Sequence, residues 1–224
     1  MSGRGQSELV RRCREGDERA WAELYRAHAP LVARFVGRMV GPSGPVDDLV
    51  QAVFVEVFRG LHRFRGDARL TTWLYGVAHR VTAKHIRSES RRRKRDGRWS
   101  EERPTSAGSA EPAVLAREAL TVVRRAVLAL PEPQRAVWVM RELEGLSTAE
   151  VAEALRVRLG TVRSRLFAAR RAVLEALDAA GAGDMPTEVG GSARPARQPQ
   201  PDGSGGGAEG KGPRRALAPE QDVS

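Results

Sequence analysis

A single cysteine, Cys13, excludes an internal disulfide framework and any zinc site built on a cysteine pair. His28, His62, His79 and His85 show no metal-ligand spacing, so they read as ordinary core or surface residues and no metal is expected. No apolar run approaches the ~20 residues of a membrane span, and the polar start Met1-Ser2-Gly3-Arg4 is no signal peptide. A cytoplasmic protein without membrane insertion is the expectation. No segment alternates as a half-buried strand would, which points to an all-α chain. Catalytic signatures are missing as well: there is no phosphate-cradling GxxxxGK(S/T), no nucleophile elbow and no HExxH, so neither enzyme chemistry nor a cofactor is expected. Lysine is confined to Lys84, Lys94 and Lys211, so the basic excess is almost all arginine.

What remains is positive charge and helical period. The 224 residues suffice for one or two small domains, and a net charge of +10 favours an anionic polymer or surface as partner. Asp17 can cap a helix in which Trp21, Leu24 and His28 share one side; Pro30 breaks or restarts it, and Leu31, Phe35 and Met39 continue the pattern. After the turn Gly41 to Pro45, a second helix runs from about Asp47 to His62. Leu49, Val50, Val53, Phe54, Val57, Phe58 and Leu61 give it a broad apolar side. Asp47-Asp48 diverge around the helix and read as a cap at its start rather than a catalytic pair. A polar loop, Arg63 to Arg69, precedes a third helix beginning near Thr71 or Thr72. The first domain is set at residues 7–98.

Residues 99–112 carry Pro, Ser, Gly and Glu with no apolar period and read as a linker. Helices resume over a second domain, 113–180. Pro131-Glu132-Pro133 ends one helix there and starts the next, which carries Val137, Trp138, Met140 and then Leu143. The tail, 181–224, is Gly, Pro, Ser and charge; it cannot bury enough apolar surface to offset its ordering entropy, so disorder is expected.

Gly145 to Arg171 is the most specific stretch. Ser147 and Glu150 form a capping box, and Val151, Ala152 and Leu155 give a short helix one apolar side. Gly160-Thr161 opens a second helix whose Val162, Leu166, Ala169 and Val173 recur as a buried stripe. Arg163, Ser164, Phe167 and Arg171 point away from that stripe, and Arg165 sits near its edge. Such a pair of helices is a helix-turn-helix, whose second helix reads duplex DNA in the major groove. In the third helix of the first domain, Trp73 and Val77 lie in line with Arg80, Lys84, Arg87 and Arg91. That strip reads either as a core tryptophan with a solvated charged end or as an aromatic and basic track for single-stranded nucleic acid.

Two ordered motif sets then become recognisable. Asp47-Asp48-Leu49-Val50-Gln51 to Phe58, Phe64-Arg65-Gly66-Asp67 and Thr72-Trp73-Leu74-Tyr75 resemble region 2 of bacterial sigma factors. Leu130-Pro131-Glu132 to Gln134-Arg135, Arg141 to Ser147 and Gly160 to Leu166 resemble region 4. With only these regions, joined by a short linker, the chain resembles the extracytoplasmic-function group of the sigma-70 family over roughly residues 7–178. The resemblance implies a dissociable subunit of RNA polymerase. Asp47, Asp48, Gln51 and Phe54 would dock the core polymerase. Arg65, Asp67, Thr72, Trp73, Arg80, Lys84 and Arg87 would hold the melted −10 strand of promoter DNA. Thr161, Arg163, Ser164, Arg165, Phe167 and Arg171 would read the −35 duplex. An anti-sigma factor is an implied partner.

Four positions depart from the family pattern: Arg80 stands where Asn is usual, Arg156 where Gly is common, Ala168 where Arg is common, and Ala52-Val53 where Glu-Thr is frequent. A left-handed backbone at Arg156 would cost a non-glycine residue ~1 kcal/mol or more. Two other readings stand beside this one. A stand-alone helix-turn-helix transcriptional regulator explains 145–171 but leaves the first-domain motifs without a role. A sigma mimic that sequesters an anti-sigma factor would need no basic reading surface.

Overall fold

The computed structural model describes residues 3–66, 68–95 and 112–181. Most of the expected linker, the expected tail and Asp67 lie outside the described residues. Among the described residues every regular element is helical: α1 (Gly3–Arg14), α2 (Glu18–Val40), α3 (Val46–Gly60), α4 (Leu70–Arg95), α5 (Pro112–Ala129), α6 (Glu132–Trp138), α7 (Thr148–Leu155) and α8 (Leu159–Ala179).

The helix α1 has no counterpart in the sequence reading. It exists because Leu9, Val10 and Cys13 form a single buried face against the bundle, on a helix otherwise dominated by arginine. Burial pushes the Cys13 thiol above its ordinary value, so the lone cysteine is a packing residue. The indole N–H of Trp21 donates to the Cys13 carbonyl at 2.9 Å, and Asp17 caps α2 by accepting from the backbone N–H groups of Arg19 and Ala20.

The expected break at Pro30 does not occur, because α2 runs through it. Pro30 and Arg26, whose carbonyl loses its donor there, both lie on the exposed side, where water can replace the missing bond. The opposite side carries Leu24, Val32, Phe35, Val36 and Met39, all at 0% exposure. Burying each such side chain contributes ~1.5–3 kcal/mol, enough to hold one imperfect helix together.

Helix α3 begins after Pro45 with no side-chain cap. Asp47 and Asp48 therefore do not cap it; they stand exposed in its first turn, where their charge complements the helix dipole. Its buried side is narrower than the sequence suggested, since Phe58 is 64% exposed. A 3-10 turn, Leu61–Arg63, leads towards α4.

In the second half, Pro131 precedes α6 as expected, but the helix continues into a π turn, Val139–Leu143. There the Glu144 N–H bonds to the Val139 carbonyl at 3.0 Å, and Gly145 with a φ of 72° ends the segment. The half-buried guanidinium of Arg135 donates to the carbonyls of Met39 at 2.6 Å, Leu130 at 3.1 Å and Leu128. It thereby ties the ends of α2 and α5 to α6. One hydrophobic core runs without interruption from α1–α4 into α5–α8.

Candidate nucleic-acid interface

The helix-turn-helix is built as its sequence pattern predicts. Ser147 and Glu150 make the reciprocal capping box, which holds the Glu150 carboxyl below its ordinary value. The corner residue Arg156 adopts φ 54° and ψ 47°, the left-handed conformation that a glycine would take without strain. Val162, Leu166, Ala169 and Val173 are all buried, and this stripe sets the roll of α8. Arg163, Ser164, Phe167 and Arg171 consequently face outward, while Thr161 and Arg165 are half-buried at the stripe's edge. Phe167 is 70% exposed on this face. Arg170, which the sequence reading did not single out, instead turns back to Glu142 at 2.6 Å.

The second candidate surface lies on α4. Arg80, Lys84, Arg87 and Arg91 are exposed along it, as is Arg65 in the loop before it, whereas Val77 is buried. Trp73 is half-buried, its ring 5.4 Å from that of Phe64, so it takes part in both the core and the surface alternatives. Thr72 is 2% exposed and inaccessible in this arrangement.

The second half of the molecule sits on α4 through α7. Gly76 permits this close approach: a Cβ added there would stand 2.7 Å from the carbonyl oxygen of Ala154 in α7. Around this contact, cations of the first half meet acids of the second. Glu144, its side chain 3% exposed, receives Arg38, Arg34 at 3.5 Å and the Tyr75 hydroxyl at 2.7 Å. Burial and this hydrogen bond both raise the Tyr75 pKa. His79 Nε2 lies 2.7 Å from Glu132 Oε1, with Arg87 at 3.8 Å from the same carboxylate, and Arg69 reaches Glu150 at 3.6 Å. Burial alone would raise Glu132, but the His79 hydrogen bond and the neighbouring positive charges outweigh it and hold the carboxyl below its ordinary value. Of the α4 strip itself, Arg87 is the member that these acids engage, while Arg80, Lys84 and Arg91 remain exposed. Sequence reasoning missed Glu132 and Glu144 in this role, because the pairing joins positions as far apart as Arg38 and Glu144.

A third surface lies on the far side of α3. Asp47, Asp48 and Gln51 are exposed, followed along the same helix by half-buried Phe54 and exposed Val55 and Phe58. Phe54 packs on Tyr25 with ring centroids 4.6 Å apart, and Phe58 on Trp21 at 4.9 Å. These rings and Glu18 line a shallow apolar cleft of about 320 Å³. Phe58 and Trp21 have the spacing of core residues, which is why the sequence reading placed them inward. No helix among the described residues is long and apolar enough to cross a membrane.

Comparison with known proteins bears on all three surfaces. Residues 24–92 match the family model for sigma-70 region 2, and residues 120–173 match that for sigma-70 region 4. The ECF RNA polymerase sigma-E factor of Escherichia coli K12 is 37% identical over 173 residues, which cover 74% of this chain and 90% of that protein. The RNA polymerase sigma-H factor of Pseudomonas aeruginosa is 33% identical over 178 residues, covering 76% and 92%. In fold, the chain is similar to CnrH in its complex with the cytosolic domain of CnrY, with a TM-score of 0.56 at 24% identity over 76% of this chain and 96% of that one. It is similar also to the sigma factor RpoE of Bartonella quintana, solved with the anti-sigma factor NepR, at a TM-score of 0.56 and 21% identity over 70% and 96%.

Proposed function

The chain belongs to the extracytoplasmic-function group of the sigma-70 family, the factors that direct RNA polymerase to promoters, and on that premise we propose how its surfaces divide the work. It is a transcription initiation factor, not a stand-alone helix-turn-helix regulator. We assign residues 7–98 to core and −10 binding and 113–180 to −35 binding, joined by 99–112 and followed by a tail, 181–224. The exposed side of α3, with Asp47, Asp48, Gln51 and Phe54, docks the core enzyme. Arg65, Asp67, Thr72, Trp73, Arg80, Lys84 and Arg87 hold the melted −10 strand, where cationic side chains meet phosphates and an aromatic ring meets a base. Thr161, Arg163, Ser164, Arg165, Phe167 and Arg171 read the −35 duplex, the arginines through bidentate hydrogen bonds and Phe167 through a thymine methyl.

The observation that carries this assignment is the outward face of α8, set by a buried stripe and, among the described residues, making no hydrogen bond, ion pair or ring contact from Arg163, Ser164 or Phe167 to another element, in the same molecule as a basic strip on α4. The closed arrangement, in which Thr72 is buried and Arg87 faces Glu132, is the form of the factor off the polymerase, and docking separates the halves. The protein supplies binding alone, with no cofactor and no chemistry of its own, and works in the cytoplasm. An anti-sigma factor is its expected antagonist, since the structurally similar RpoE is held by one.

Run-off transcription with core polymerase on a random promoter library tests the reading. Transcripts from templates sharing one −10 and one −35 element are expected. Tight binding to duplex DNA without any association with core enzyme would overturn it.

A further inference from the structure

A second cleft, of about 350 Å³, opens where the end of α3, the 3-10 turn and the middle of α4 meet the corner of the helix-turn-helix. Arg59, Arg63 and Arg80 line it from the first half of the molecule, and Arg156 closes it from the second. One carboxylate, Glu56, shares the cleft and lies 3.3 Å from Arg59. Arg63, Arg80 and Arg156 have no carboxylate within ion-pairing distance among the described residues. Partial burial, and then the charge of Arg156, lower the pKa of Arg80. Arg156 reaches the cleft from a left-handed backbone that disfavours any side chain. Like charges gathered in one cleft are the mark of a site completed by an anion.

The shape narrows the anion further. Guanidinium groups present planar forks that match phosphate oxygens two at a time. The volume lies at the lower end of the ~300–1,000 Å³ of small-molecule sites, enough for more than a lone phosphate. Trp73, half-buried and packed on Phe64, forms one wall. An indole edge beside cations suits a heteroaromatic base.

We propose that this cleft binds a nucleoside polyphosphate, with its phosphates on Arg59, Arg63, Arg80 and Arg156 and its base against Trp73, and that the ligand holds the two halves closed. Because Arg156 comes from the second half, the complete site exists only in the closed arrangement. Ligand binding and docking on polymerase are therefore opposed, a consequence that rests on the promoter reading above, whereas the binding itself does not.

The test is calorimetric titration of the full chain with magnesium-free ATP, sodium tripolyphosphate and a short oligo(dT). One ATP per chain is expected, with tripolyphosphate weaker by about fivefold or more for want of a base to stack. Arg156→Gly relieves the backbone strain while removing the charge, so it retains the fold; it is expected to weaken ATP by about tenfold, the loss of one charge-assisted contact. ATP should also raise the melting midpoint of the parent chain and not that of Arg156→Gly. Absence of ATP binding, or equal affinity in Arg156→Gly, overturns the site. Tripolyphosphate binding as tightly as ATP overturns the nucleoside assignment. Displacement of ATP by oligo(dT), with the same dependence on Arg156, shows a strand track instead. The run-off assay, performed separately, reports on promoter reading whichever way the titration falls.

Discussion

The two proposed reading surfaces are kept in different states. On α8 the outward residues Arg163, Ser164, Phe167 and Arg171 make no hydrogen bond or ion pair with the first half among the described residues, and a stripe of four buried side chains fixes their direction. On α4 the side bearing Thr72 and Gly76 is buried, Arg87 of the basic strip and the neighbouring His79 are matched with Glu132, and Arg80, Lys84 and Arg91 stay exposed. A duplex reader needs only a rigid convex helix, which a small domain can hold ready. A single-strand reader needs open cationic surface, which repels itself until an anion covers it. Here the other half of the chain supplies one such anion, Glu132, to Arg87.

The strongest way to break the contrast is to remove the hub. Glu144→Ala leaves Tyr75 and Arg38 facing a void, and the closed arrangement should lose about 3 kcal/mol, towards the low end for a broken buried pair because Arg34 and Arg38 stay partly in water. Resonance energy transfer between labels on α3 and α8 should show the halves apart; an unchanged distance would mean the apolar contact alone suffices. Gly76→Ala attacks the same interface sterically. Its new methyl meets the Ala154 carbonyl, an overpacking cost of about 2 kcal/mol to the closed form only. Binding of a −10 single strand without polymerase should then rise, and no gain would argue against masking.

The other side of the contrast is sharpened by Arg163→Ala, which should weaken the −35 duplex by about 1–2 kcal/mol in gel-shift titrations with polymerase present. Equal losses on scrambled −35 sequence would reduce Arg163 to a phosphate contact. The smallest effect is that of pH. The Glu132 carboxyl is held below its ordinary value near 4.5, so its contribution to closure is complete above that value and lost as pH falls through the lowered one. The same transfer signal should drop on acidification in that window, and Glu132→Gln should flatten the response.

How much of this was legible beforehand follows from the range of the forces involved. The stripe Val162 to Val173 is a local period, and reading it correctly fixed which α8 residues look outward. The capping box at Ser147 and the strain at Arg156 were equally local. Helix α1 escaped because its few apolar residues are scattered among arginines and become a face only when the bundle meets them. Pro30 misled because the rule against interior proline assumes a carbonyl with no other partner, whereas this one faces water. Phe58 misled in the other direction, since periodicity does not distinguish a core face from a docking face. Masking of α4 was beyond local reading altogether: Glu132 and Glu144 lie near helix ends, where an acid ordinarily reads as solvated, and their partners are supplied by the distant first half.

The π turn at Val139–Leu143 sets the phase of this assembly. Such a turn holds one residue more than an α-helix would over the same length, and each residue of an α-helix turns the chain through about 100°. The extra residue is therefore absorbed within the turn, and the chain beyond it keeps the phase that brings Glu144 to Tyr75 and Arg38. Because Val139 and Met140 of the same turn are fully buried, the widened pitch also fits the core of the second half, so one local irregularity serves both the packing of that half and its ion pairing with the first.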